Sequence, residues 1–117
     1  MRELLYNAGG HLQRGRSLAA AGDRRGALAA YAEALSDLHA VRPQRQRDAL
    51  LAHVYLARYR LAADRFDRAA QHDLRVGYAY ARTGGEPGVR ALAEELWEGF
   101  LAERAQRAAL KAGPKAS

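Results

Sequence analysis

The sequence predicts an all-α domain of about five antiparallel helices, and three observations support this fold class. Long stretches of alanine, leucine, arginine and glutamate, all strong helix formers, fill the chain between a few breaks. The breaks combine glycine, aspartate or proline, which end one helix and cap the next. Sustained alternation of apolar and polar residues, which would indicate a strand, does not occur.

The composition limits the class of protein further. A chain of 117 residues is the size of one domain, expected over positions 1–112 with a disordered tail at 113–117. Cysteine is lacking, which excludes disulfides and thiolate metal sites and fits a reducing compartment. We expect a cytoplasmic protein without a membrane segment, because no stretch resembles a signal peptide or the roughly 18 apolar residues of a membrane span.

The first two helices are predicted over positions 3–21 and 24–40. Gly22 supplies a left-handed C-terminal cap to the first helix, and Asp23 caps the start of the second. Pro43 follows the second helix and forces Arg42 out of the helical region. An apolar stripe at helical spacing along the second helix comprises Ala27, Leu28, Tyr31, Ala34, Leu35 and Leu38.

Three further helices are predicted over positions 44–62, 65–82 and 88–112. Asp64 is expected to cap the fourth helix, and the segment from Thr83 to Pro87 separates the fourth from the fifth. The buried stripe of the third helix is expected to comprise Leu50, Val54, Ala57 and Leu61. That of the fourth comprises Phe66, Ala69, Ala70, Leu74, Gly77 and Ala81, and that of the fifth Val89, Leu92, Leu96, Trp97 and Phe100.

The spacing of small and aromatic residues over positions 8–41 resembles one tetratricopeptide repeat. The residues that carry this resemblance are Gly15, Leu18, Gly22, Asp23, Ala27, Tyr31 and Ala34. In such a repeat the small residues allow two helices to cross closely, and the aromatic residue fills the gap to the next hairpin. The chain departs from the family where His11, Arg14, Leu18 and His39 replace tryptophan, leucine, tyrosine and proline.

The second repeat is open to two interpretations. The segment HVYLARYRLAADRFDRAA resembles a helix, a turn at Ala63-Asp64 and a second helix, whereas VGYAYARTGG resembles the end of a first repeat helix. One helix cannot be both the second helix of one repeat and the first helix of the next. We favour a tetratricopeptide-like solenoid of two hairpins with the fifth helix as a cap, because a repeat stack needs a terminal element over its last apolar face.

The resemblance implies a protein-interaction adaptor or scaffold, not an enzyme, whose first, third and fifth helices line a groove for a peptide or helix. The candidate groove residues are Leu12, Arg16, Tyr55, Arg58 and Tyr59. Leu12 and Arg16 occupy positions of the family's lysine–asparagine carboxylate clamp, so that clamp is not carried over. Arg16 and Arg58 are candidates to bind a carboxylate, whereas Tyr55 and Tyr59 suit a groove and a core equally.

A second class of function follows from the net charge of +6. The local cluster of Arg42, Arg45 and Arg47 is a candidate contact for phosphates or an acidic partner. Nucleic acid is the less favoured partner, because aromatic residues are not interleaved with these arginines and no recognition-helix pattern occurs. Trp97 and Phe100 share a face of the fifth helix, which makes self-association through that helix a further alternative.

Neither a catalytic site nor a metal or cofactor is expected. The chain has no HExxH or phosphate-loop pattern, and its few serines and histidines form no catalytic constellation in sequence. His11, His53 and His72 would have to converge from three helices to share a metal ion.

Overall fold

The computed structural model describes residues 2–113 and confirms the all-α class. Its five helices are α1 (Arg2–Ala20), α2 (Arg24–His39), α3 (Arg45–Leu61), α4 (Arg68–Gly84) and α5 (Pro87–Ala112). Gly113 ends α5 with its backbone N–H donating to the Leu110 carbonyl, so it belongs to the helix terminus. The rest of the predicted disordered tail, residues 114–117, lies outside the described residues.

The helices form two antiparallel hairpins, α1–α2 and α3–α4, and α5 packs on α4 and α3. The central helix α3 contacts all four other helices, so it joins the hairpins to each other and to α5. The radius of gyration is 16.1 Å, whereas a compact chain of this length has about 13 Å. None of the helices described over residues 2–113 combines the length and the apolar character that a membrane crossing requires.

The turn between α1 and α2 forms as its residues predict. Gly22 has a positive φ of 84°, and its N–H donates to the Ala19 carbonyl. The Asp23 N–H donates to the Leu18 carbonyl, while the Asp23 carboxylate accepts from the Gly26 N–H at 2.8 Å. Glycine therefore ends α1 and aspartate caps α2, which closes the first hairpin within a few residues.

The start of α4 differs from the prediction. Asp64 does not cap a helix at residue 65; its carboxylate accepts from the Phe66 N–H at 2.9 Å and holds a local turn. The helix begins only at Arg68, with Asp67 in the capping position. Phe66 therefore lies before α4, and Ala69 is exposed instead of buried.

Both hairpins depend on close approach at glycine. A Cβ atom added to Gly15 of α1 would overlap the Tyr31 ring, which is only 2% exposed. At Gly84 of α4 it would lie 2.7 Å from the Ala49 backbone nitrogen and 2.8 Å from the Ala49 Cα. A Cβ atom added to Gly77, two turns earlier on α4, would come similarly close to the Leu56 side chain. Tyr31 thus packs within its own hairpin, against the helix to which α2 is joined.

The core forms two connected clusters. The first surrounds Leu12, Tyr31 and Leu38 between α1, α2 and α3, and the second surrounds Leu56, Leu74 and Phe100 between α3, α4 and α5. In α3 the predicted stripe is only partly right, because Leu51 and Leu56 are fully buried whereas Leu50 and Leu61 are half-buried. A helix packed on several sides buries more than one stripe.

The close approach at Gly84 predicts opposite effects for two glycine-to-alanine substitutions. Gly84→Ala places a methyl group against the Ala49 backbone, which cannot rotate away, and should lower the free energy of unfolding by about 1–3 kcal/mol. Gly10→Ala meets nothing within 4 Å on exposed α1 and should raise it by about 0.5–1 kcal/mol. Urea unfolding measures both. Equal effects of the two substitutions would contradict the close helix crossing.

The packing of α5 predicts that its two halves differ in importance. Val89, Ala93 and Phe100 are buried, whereas residues 102–112 are exposed. A chain ending after Ala102 should keep a cooperative thermal transition and elute as the full chain does. A chain ending after Pro87 should lose cooperativity or aggregate, because the apolar faces of α3 and α4 are then open. A folded monomer ending at Pro87 would show that α5 is not a cap.

Candidate functional site

A groove lies on the face formed by α1, α3 and α5, the first helices of the successive hairpins and the helix that follows them. It contains a cavity of about 370 Å³. The residues that define the groove are Arg16 and Ala19 of α1, His53, Ala57 and Arg60 of α3, and Leu92 of α5, with Tyr31 of α2 at the base. The groove therefore combines an apolar floor with cationic edges.

A chain of hydrogen bonds crosses the groove and links its three helices. Arg16 Nη2 lies 3.1 Å from His53 Nδ1, and His53 Nε2 lies 3.1 Å from the Glu86 carboxylate. Because arginine can only donate, Nδ1 is the acceptor and Nε2 carries the proton that it donates to Glu86. His53 thus links Glu86 to Arg16 and positions the Arg16 guanidinium at the groove edge.

The electrostatics of the groove favour an anion. Arg16 and Arg60 are both exposed, and Arg60 forms no ion pair within residues 2–113. Burial raises the pKa of the Tyr31 hydroxyl, and the nearby charges of Arg16 and Arg60 oppose that rise. The Tyr31 hydroxyl therefore stays protonated at neutral pH and can serve as a hydrogen-bond donor below two guanidinium groups.

Three of the five predicted groove residues are packing residues instead. Leu12 is 3% exposed and belongs to the first core cluster. Tyr55 packs between the hairpins: its hydroxyl lies 3.0 Å from His39 Nε2 and its ring stacks on Tyr80. Tyr59 is 2% exposed in the second core cluster. The placement of these three side chains on an open groove was wrong, because α3 presents Tyr55 and Tyr59 to the interior.

Arg58 is also directed away from the groove. Its Nε and Nη2 donate to the two carboxylate oxygens of Asp73 on α4, at 2.9 Å and 2.7 Å. The Asp73 side chain is only 8% exposed, so this bidentate pair ties α4 to α3 below the surface. The hydrogen bond with Asp73 raises the pKa of Arg58. Arg58, a predicted carboxylate-binding residue, thus binds a carboxylate of the protein itself and not one in the groove, where Arg60 accompanies Arg16.

The predicted cluster of Arg42, Arg45 and Arg47 is split between surface and interior. Arg42 and Arg45 are exposed, whereas Arg47 is 9% exposed. Arg47 donates to the Val41 carbonyl at 3.1 Å and pairs with Asp48. Its guanidinium stabilises the connection between α2 and α3, so only Arg42 and Arg45 present their side chains to a partner.

The histidines do not converge on a common point in the described structure. His53 lies in the groove, His72 is exposed on α4, and His11 lies between Glu33 and Asp37 of α2. The two carboxylates approach opposite ring nitrogens of His11, at 3.1 Å and 3.5 Å, so the three side chains do not face one point that a metal ion could occupy. Over residues 2–113 no three histidine or carboxylate side chains are grouped to hold a metal.

Comparison with known proteins yields no match to a family model, a curated protein or a solved structure. The tetratricopeptide resemblance therefore stays a prediction from the residues of the first hairpin. What the structure itself establishes is an all-helical chain of two hairpins with a fifth helix packed beside them.

Two groove residues, His53 and Arg60, were missed at the level of sequence. They are seven residues apart, with Ala57 between them, so they lie on one face of α3. That spacing could have indicated a shared polar face on α3. However, α3 is apolar on several sides, and its tyrosines offered an equally regular stripe on the opposite face. Only the positions of α1 and α5 decide which side of α3 is open.

The two arginines of α3 predict a matched pair of stability changes. Arg58→Ala leaves the buried Asp73 carboxylate without its partner and should lower the free energy of unfolding by about 1–3 kcal/mol, given that Arg58 is itself part-exposed. Arg60→Ala removes an exposed, unpaired side chain and should change it by less than about 0.5 kcal/mol. Chemical denaturation at neutral pH distinguishes them. Similar values would mean that the Asp73 pair does not stabilise the hairpin.

Proposed function

We propose that this protein is an interaction adaptor that binds an acidic segment of a partner protein in the groove of α1, α3 and α5. The observation that carries the proposal is that two exposed arginines, Arg16 of α1 and Arg60 of α3, line one open cavity of about 370 Å³. Guanidinium groups bind carboxylates in a fixed, bidentate geometry, and arginine is enriched among residues that contribute most to interface energy.

The remaining groove surface suits a short peptide segment. Ala19, Ala57 and Leu92 supply small apolar contacts, and their size leaves room for the backbone or side chains of a bound segment. The hydrogen-bond chain from Arg16 through His53 to Glu86 holds one cationic edge in place before binding. Such preorganisation lowers the entropy cost of immobilising arginine in a complex.

The resemblance of the first hairpin to a tetratricopeptide repeat supports the same function. In that family the first helix of each hairpin lines the binding groove, and α1 and α3 would be these helices here. The proposal includes assignment to the tetratricopeptide class and a cytoplasmic location. It assigns no reaction to the chain.

A peptide library displayed on phage tests the proposal. Peptides selected on the full chain should be enriched in aspartate or glutamate at one position. Synthetic forms of these peptides should lose at least about tenfold in affinity for the Arg16→Gln/Arg60→Gln variant, the loss of about 1.4 kcal/mol expected for one charge-assisted contact. Isothermal titration calorimetry measures the affinities.

The matched control is Arg2→Gln/Arg25→Gln, which removes the same charge from exposed positions outside the groove. It should leave peptide affinity within about twofold, because separated surface charges are screened at physiological salt. Selected peptides without acidic residues, or equal losses in the two variants, would reject the groove as the binding site.

A further inference from the structure

A second pocket lies at the opposite edge of the second hairpin, where α4 begins. It has a volume of about 420 Å³ and is lined by Phe66, Arg68, Gln71, His72 and Arg75. No carboxylate side chain lines this pocket. The pocket thus offers an aromatic ring, two guanidinium groups, an amide and an imidazole to whatever enters it.

A row of aromatic rings continues from this pocket along the contact between α4 and α5. The Phe66 and Phe100 ring centroids are 5.2 Å apart, those of Phe100 and Trp97 are 5.9 Å apart, and those of Trp97 and Tyr78 are 5.6 Å apart. Phe100 is buried, whereas Phe66, Tyr78 and Trp97 are each partly exposed. Phe66 is already in contact with Phe100 and with the Arg107 guanidinium, so Tyr78 and Trp97 supply most of the accessible ring surface of the row.

Arginines of α5 stack on the same rings. The Arg107 guanidinium lies 4.0 Å from the centre of the Phe66 ring, and that of Arg104 lies 5.7 Å from the centre of the Phe100 ring. Trp97, Phe100, Arg104 and Arg107 follow one another at intervals of three and four residues, so they share one face of α5. A contact with a ring does not use the N–H groups of the guanidinium, so these groups stay available to another partner.

A line of arginines borders the rings on α4. Arg68, Arg75 and Arg82 are seven residues apart, so they lie on one face of the helix at intervals of about 10 Å. Within residues 2–113, neither these three arginines nor Arg104 and Arg107 form an ion pair with a carboxylate. By contrast, Arg14, Arg47 and Arg58 are each paired inside or between the hairpins.

We infer that this surface of α4 and α5, defined by Phe66, Tyr78, Trp97 and the five unpaired arginines, binds single-stranded nucleic acid. Unpaired cations beside aromatic rings match the two parts of a single strand, because arginines contact phosphates and rings stack with unpaired bases. In a duplex the base faces are stacked inside the helix, so a duplex could contact only the arginines of this surface. The sequence does not predict this combination, because Phe66, Tyr78 and Trp97 belong to a loop and two different helices and come together only in the folded chain.

The inference is independent of the groove, since none of its residues lines that cavity. Fluorescence anisotropy with the full chain and a labelled oligothymidylate of about 16 nucleotides tests it. The single strand should bind at least about tenfold more tightly than a blunt duplex of equal length. Trp97 is the sole tryptophan of the chain, so its intrinsic fluorescence should be quenched by the unlabelled strand on binding.

Two triple variants of equal charge locate the binding. Arg68→Gln/Arg75→Gln/Arg107→Gln should weaken single-strand binding at least about tenfold and reduce the slope of log affinity against log salt by about 2, as loss of three phosphate contacts requires. Arg2→Gln/Arg14→Gln/Arg25→Gln removes three exposed arginines elsewhere and should leave affinity within about threefold. Circular dichroism confirms that both variants are folded.

Several results would overturn the inference. Equal weakening by the two triple variants would assign binding to net charge alone, and equal affinity for duplex and single strand would exclude base stacking. Tighter binding to phosphatidylglycerol vesicles than to the oligonucleotide would assign the surface to a membrane. If the first triple variant does not fold, the fluorescence of Trp97 in the unaltered chain provides the test. Binding of the strand without a change in Trp97 fluorescence would place the strand elsewhere.

Discussion

The close packing of neighbouring helices at three glycines is the constraint on which the rest of this structure depends. Gly15 admits the Tyr31 ring, Gly77 admits Leu56, and Gly84 brings α4 against the Ala49 backbone. A side chain at any of these positions would separate the two helices of a hairpin. Since α5 packs on α4 and α3, the width of the second hairpin also sets where α5 lies and how far the groove opens.

The central helix α3 contacts every other helix and also lines the groove. One face, with His53 and Arg60, forms part of the groove, while the opposite side carries Tyr55 to its contacts with His39 and Tyr80. Such a helix cannot be amphipathic in the ordinary sense. Its buried residues hold the hairpins together, and its few polar residues are directed to ion pairs or to the groove.

The excess of arginine divides into side chains with structural partners and side chains without them. The Arg58 pair with the buried Asp73 joins α3 to α4, whereas Arg47 pairs with Asp48 within α3 and donates to the Val41 carbonyl before the helix. Within residues 2–113, some unpaired arginines lie in the groove or on the outer surface of α4 and α5, and others, including Arg42 and Arg45, are exposed elsewhere. The net charge of +6 therefore includes two separate cationic surfaces, each beside a different kind of apolar lining.

The sequence by itself determined the helical class, the number of helices and the first turn, because propensity, glycine and capping aspartate act within a few residues. It also indicated Gly15 as a site of close helix packing and Arg16 as a groove residue. The tertiary structure alone decided that Tyr55 and Arg58 face inward, that Arg60 joins Arg16, and that Phe66 and Trp97 meet beside unpaired arginines. These outcomes depend on which side of α3 and α5 meets another helix, and periodicity within one helix cannot distinguish two regular faces.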